Sequence, residues 1–108
     1  MRRGDVVVAL QPGTYTSKPR PCLVVQSNAA LPSRSVVTIC PLSSTLQGAS
    51  LIRVPIMPTV QNGLRRTSEV EIDYLQAIAV ENVAQAIGSA DEEVMARVDE
   101  ALRRWLDL

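Results

Sequence analysis

The apolar positions of this chain fall into short runs separated by segments rich in Gly, Pro, Ser and Thr, the rhythm of strands and turns. Residues 5–10 (DVVVAL), 22–27 (CLVVQS) and 35–42 (SVVTICPL) are aliphatic runs that predict three buried strands, with Pro41 marking the end of the third or an edge. Residues 51–57 (LIRVPIM) are broken by Pro55 and read as an edge strand. The stretch 69–80 begins EVEID, a strict alternation that predicts a strand with one wet face. A turn at 80–83 and a short strand at 84–87 follow. Among the connections, residues 11–21 (QPGTYTSKPRP) are longer than most hairpin links, which favours a binding loop. Loops are also predicted at 28–34, 43–50 and 58–68, the last containing the turn signal Asn62-Gly63.

The carboxyl-terminal segment changes period. Ser89 followed by Glu92 reads as a capping box, and Asp91, Glu92 and Glu93 load the first turn with negative charge. Val94, Met95, Val98, Ala101, Leu102, Trp105 and Leu106 then recur at helical spacing, with Arg103 and Arg104 in the last turn. This predicts a helix packed on the sheet with Trp105 in the core. Five or six short strands and then a helix, in 108 residues without an internal repeat, predict one domain over 1–108: mainly β with α, a small antiparallel barrel or strongly bent sheet.

Composition narrows the possibilities. Apolar residues make up 46% of the chain, with no Phe and only Tyr15, Tyr74 and Trp105 as aromatics, so the core is aliphatic. A domain this small buries a limited share of its surface and gains from dimerising. No run approaches the roughly 18 apolar residues a membrane span needs, and the amino end reads as a first strand instead of a signal peptide. Cys22 and Cys40, each in an aliphatic run, are expected as buried thiols of a cytoplasmic protein. The chain has no histidine, which excludes a Ser-His-Asp triad, His-ligated zinc and a paired-imidazole route to RNA cleavage. Net charge is zero, but residues 1–66 carry eight cations and one anion while residues 67–108 carry three cations and ten anions. The asymmetry fits either an anionic partner for the first part or two halves that complement each other.

Two clusters could carry chemistry. In Lys18-Pro19-Arg20-Pro21 both cations precede prolines, so both are held extended and project to the same side at the mouth of the second strand. Arginine offers a permanently charged planar fork suited to phosphate, although two prolines can also simply shape a turn. Ser43, Ser44 and Thr45 follow the third strand, where hydroxyls bind phosphate or cap turns. If strands two and three are antiparallel neighbours, Arg20 and Ser43 meet at one edge. Arginine would then neutralise charge building on a phosphorane while the hydroxyl holds a phosphate oxygen.

The ordered segments RRGDVVVAL, GTYTSKPRPCLVVQS, VVTICPLSST, GLRRTSEVEIDYLQAIAVENV and IGSADEEVMARVDEALRRWLDL resemble the MazF/PemK toxins of bacterial toxin–antitoxin pairs over nearly the whole chain. Arg3-Gly4-Asp5, Arg20-Pro21, Pro41 with its hydroxyls, Asp73 and the terminal helix carry the likeness. The resemblance implies a homodimeric, SH3-like barrel of the CcdB/MazF/PemK type. It implies an endoribonuclease that cleaves single-stranded RNA at short sequences without metal or cofactor. Attack by the ribose 2′-hydroxyl would leave a cyclic phosphate and a 5′-hydroxyl. The family's catalytic arginine falls on Arg20 and its catalytic threonine on Ser43, a serine here, which keeps the hydroxyl and lacks the methyl that stiffens χ1. Lys18, Ser44 and Thr45 would bind RNA, and Tyr15, in a loop that departs from the family's usual composition, would stack on an unpaired base. Tyr74 stands where the family often has Gln, so base readout is expected to differ. The resemblance further implies a cognate antitoxin as partner, a bacterial cytoplasmic location and no membrane association. A competing reading is a gyrase poison like the related CcdB proteins, which act through a terminal Trp-Gly-Ile; this chain ends Trp105-Leu106-Asp107-Leu108. A third is a protein-binding barrel without activity.

Overall fold

Residues 1–10, 18–31, 35–48 and 51–108 are described by the structure, a computed structural model. The aliphatic runs form strands, as their β-branched composition dictates: β1 (Asp5–Ala9), β2 (Arg20–Val24), β3 (Val36–Ser43), β4 (Arg53–Ile56), β5 (Ser68–Glu71), β6 (Gln76–Ala79) and β7 (Val83–Ser89). Helix α1 (Glu92–Leu106) closes the chain. Every pairing among them is antiparallel, in the order β4-β5-β3-β2-β1-β7, with β6 also on β3.

Among the described residues seven strands form, more than the predicted five or six, because 69–80 is two strands. β5 pairs with the end of β3 through Leu42↔Val70, and β6 pairs with its beginning through Ile39↔Gln76. Between them Ile72–Tyr74 makes a 3₁₀ turn that buries Ile72. The turn consumes residues without advancing along β3, so the sheet bends there. Pro41 lies within β3 opposite Cys22, not at its end.

The sheet is barrel-like but open. Its two ends approach through backbone contact: the Ser89 amide donates to the Gln61 carbonyl at 2.9 Å, joining the turn after β4 to β7. A Cβ on Gly88 would stand 2.2 Å from the Gln61 carbonyl oxygen, and one on Gly63, at φ +71°, 2.2 Å from that of Ile87. Only glycine permits so close an approach. The Asn62-Gly63 signal is therefore as much a closure device as a turn. Asn62 is buried, and its side chain accepts from the Thr59 and Leu64 amides and donates to the Met57 carbonyl.

Alternation along the strands divides the core. Val6, Leu23, Cys40, Val54 and Val70 face α1, whose Val98 and Ala101 are buried among them. Val7, Cys22, Val24, Val37 and Ile39 pack as a second cluster with Ile78. Each fully buried Leu, Ile or Val is worth about 1.5–3 kcal/mol of transfer free energy. The two thiols thus belong to different clusters, and burial pushes the Cys40 thiol up to about 12.

Two expectations about the helix are corrected. Its cap is Asp91, which accepts from the Val94 amide at 2.9 Å, whereas Ser89 ends β7. Trp105 is 47% exposed, not core: α1 packs on β4 and the 72–74 turn, and every residue from Arg103 onward is exposed. The amino end is fastened to the helix by Arg3–Asp99 at 2.6 Å and to the link that precedes it by the Ala90 amide on the Gly4 carbonyl at 2.8 Å. Among the described residues no helix is long and apolar enough to cross a membrane.

Candidate active site

β2 runs antiparallel to β3 with Cys22 opposite Pro41. Continuing that register two residues puts Arg20 opposite Ser43. Ala9 pairs with Arg20 on one side and Glu69 with Ser43 on the other. Paired residues share a face and neighbouring strands lie about 4.8 Å apart, so Ala9, Arg20, Ser43 and Glu69 form one row across the sheet. Arg20 and Ser43 thus come to one edge, the arrangement expected if strands two and three are antiparallel neighbours. Both residues line the same open cleft, of about 660 Å³.

Arg20 is exposed at the cleft wall between Pro19 and Pro21, whose rings fix the backbone that carries it. Ser43 is half-buried at the end of β3. Its Oγ accepts from the Thr45 amide at 3.1 Å and lies 3.4 Å from the Thr45 carbonyl oxygen. This local turn fixes the hydroxyl's position, the task that a methyl on Cβ would otherwise share. Ser44 and Thr45 are exposed and line the cleft.

Glu69 holds the loop that bears these hydroxyls. It is 4% exposed, and its two carboxylate oxygens accept from the Gln47 amide at 2.7 Å and the Gly48 amide at 2.9 Å. Gly48, at φ +71°, adopts the backbone this requires. A carboxylate with both oxygens on backbone amides makes strong charge-assisted bonds. Glu69→Ala is expected to reduce stability by about 2 kcal/mol, read as a lower urea midpoint with unchanged slope, and to slow any reaction that needs Ser43 in place.

The structure also brings in residues that were not picked out from sequence. Arg65 and Arg66, exposed after Gly63, line the cleft, and Gln85 and Ile87 of β7 form another wall. Among the described lining residues Arg20, Arg65 and Arg66 are cations and Glu71 is an anion. An adjacent Arg pair after a tight turn is a legible signal; the β7 wall is not, because it depends on the glycine-mediated closure. Lys18 is exposed before β2 and is not part of the lining. Tyr15 lies outside the described residues.

Behind the cleft, Arg53 of β4 is 3% exposed. Its Nε and Nη2 donate to the two Asp73 oxygens at 2.9 and 3.2 Å. Its Nη1 lies 3.0 Å from Glu71 Oε2, although the angle makes no hydrogen bond there. Asp73 pushes the Arg53 guanidinium further up, and burial raises the Glu71 carboxyl despite Arg53. The guanidinium also sits 5.6 Å from the Tyr74 ring centroid, a cation–π contact. The expectation that Tyr74 alters base readout thus meets a residue stacked on an internal ion pair and absent from the cleft lining.

The family model for the PemK-like, MazF-like toxin of type II toxin–antitoxin systems matches residues 2–106. A Mycolicibacterium smegmatis protein named "Probable endoribonuclease MazF" is 34% identical over 108 residues, covering 100% of this chain and 98% of that one. The structure of Mycobacterium tuberculosis toxin MazF-mt6 superposes with a TM-score of 0.81 at 27% identity, covering 96% of this chain and 97% of that one. A mycobacterial endoribonuclease solved with its cognate antitoxin has the same fold, with a TM-score of 0.83 at 22% identity, covering 100% of this chain and 96% of that one.

Proposed function

The chain belongs to the PemK-like, MazF-like toxin family of type II toxin–antitoxin systems, and from that premise we propose that it is a sequence-specific endoribonuclease toxin. It cleaves single-stranded RNA without a metal, arrests growth, and is neutralised by a cognate antitoxin. It acts as a homodimer in the bacterial cytoplasm. The observation that carries this reading is the convergence of Arg20 and Ser43 on one cationic cleft.

The chemistry follows from the groups present. Attack of a ribose 2′-oxygen on the adjacent phosphorus builds negative charge on the phosphoryl oxygens. The Arg20 fork meets that charge as it develops, and the Ser43 hydroxyl holds one oxygen so that attacking and leaving oxygens are in line. Arg65 and Arg66 grip the flanking backbone, and Ser44 and Thr45 offer hydroxyls to it. The P–O5′ bond breaks, giving a cyclic 2′,3′-phosphate and a 5′-hydroxyl. An acidic antitoxin segment would compete for the same cations. The gyrase-poison reading draws no support: the named relatives are endoribonucleases, and Trp105 is followed by Leu106, not Gly.

The test is direct. Purified protein is expected to cut a mixed-sequence single-stranded RNA in excess EDTA and to slow steeply as salt rises, because the substrate is held through its phosphates. Intact RNA under these conditions, with a correctly folded protein, removes the reading. Sequencing the 5′ ends of the fragments gives the cleavage site.

A further inference from the structure

Attack by a 2′-hydroxyl requires something to take its proton. Histidine, the usual acceptor, is absent from this chain. Three carboxylates stand on the outer face of β5 and the turn that follows it; two have both oxygens hydrogen-bonded, while among the described residues Glu71 has only its ion pair with Arg53. Glu69 has both oxygens on loop amides, and Asp73 has both on Arg53. Among the described residues neither oxygen of Glu71 takes a hydrogen bond, and Glu71 is the cleft-lining carboxylate. The stretches 11–17, 32–34 and 49–50 contain no Asp or Glu.

The sheet places Glu71 appropriately. Ser43 pairs with Glu69, so Glu71, two residues on, is the diagonal cross-strand neighbour of Ser43 on the same face. Such neighbours lie about 7–8 Å apart, a gap a glutamate and a bound ribose together span. Arg20 lies across Ser43 on the other side. An acceptor, a phosphate clamp and a hydroxyl therefore converge from three adjacent strands.

We propose that Glu71 is the general base of the cleavage reaction, a reading that rests on the ribonuclease function above. The Glu71 carboxylate removes the 2′-hydroxyl proton as the 2′-oxygen bonds to phosphorus. The P–O5′ bond breaks, the departing 5′-oxygen takes a proton from water, and Glu71 returns its proton to solvent. The groups facing Glu71 are Arg53 from β4, Asp73 from the 3₁₀ turn and Glu69 on its own strand, while the buried Cys40 thiol of β3 lies within electrostatic range on the opposite face of the sheet. Burial raises its carboxyl from its ordinary value, and Asp73 and Glu69 add to this against Arg53, which moves the base towards the pH at which it works. The active form is ionised, so the rate falls as pH falls through that raised value.

The experiment is the pH–rate profile of wild type and Glu71→Gln under single turnover in EDTA, with binding measured on RNA carrying 2′-deoxynucleotides. Wild type is expected to show an acid limb displaced upward from that of a solvent-exposed glutamate. Glu71→Gln is expected to cut about 100-fold more slowly at neutral pH, without that limb, while binding the uncleavable RNA at least as well. Glu71→Asp retains a carboxylate and is expected to keep the limb at a reduced rate, which separates base chemistry from any loss of packing in Gln. Wild-type cleavage together with a Glu71→Gln variant that is within a few-fold of it, or slower with the same acid limb, overturns the assignment. A wild-type protein inert on RNA overturns the functional reading, and this proposal with it.

Discussion

Arg20→Ala is expected to cut RNA about 1,000-fold more slowly than the wild type while remaining as stable. Arg20 is exposed and among the described residues makes no ion pair, so its removal leaves no buried charge behind. The loss falls on the transition state, because the charge on the phosphoryl oxygens grows during attack and the fork is already in place to meet it. Ground-state binding falls less, since Arg65 and Arg66 still hold the backbone. Arg20→Lys is expected to lie between the two, since it keeps the charge and loses the planar pair of donors. Single-turnover cleavage of end-labelled RNA in EDTA measures all three. An alanine variant within tenfold of wild type means that Arg20 does not act on the scissile phosphate.

Arg53→Ala is expected to cost about 3–5 kcal/mol of folding stability, since it strands two carboxylates that the fold has partly removed from water. Asp73 loses two hydrogen bonds, Glu71 its counter-ion and Tyr74 its cation. A domain of this size has roughly 5–15 kcal/mol in total, so the variant approaches unfolding at growth temperature. Urea unfolding measures the loss. Combining Arg53→Ala with Asp73→Ala is expected to be less damaging than the two losses added together, because the second substitution removes a carboxylate that the first left unpaired. Strict additivity would mean that the pair is not energetically coupled. Glu71 also depends on Arg53, so the same substitution is expected to shift the acid limb of cleavage to higher pH.

How much of this was legible beforehand depends on the range of each interaction. The aliphatic runs around Val6–Ala9, Cys22–Val25 and Val37–Leu42 announce strands because β-branched side chains restrict the backbone locally. The Val98 and Ala101 stripe announces a helix because i, i+3 and i+4 positions share a face. The helix cap sits two residues beyond the one the capping-box pattern predicts: Ser89 and Asp91 are both good caps, and β7 claims Ser89 through its pairing with Asp5. Trp105 has the spacing of a core residue, but spacing does not record where the helix stops touching the sheet. Arg20 and Ser43 were visible because prolines and a strand end mark them, and the family likeness gave them roles.

The sequence alone determined the strand-then-helix order, the aliphatic core, the cationic first part and the family. These follow from periodicity, composition and short motifs, which are properties of neighbours along the chain. The tertiary structure alone decided that 69–80 bends into two strands, that Gly63 and Gly88 let the turn after β4 meet β7, and that Arg65, Arg66 and Glu71 join Arg20 and Ser43. It also decided which carboxylates are engaged: Arg53 finds Asp73 across 20 residues, and Arg3 finds Asp99 across 96. Side chains so far apart in sequence meet only through strand register and sheet curvature, and no local pattern of residue types encodes those.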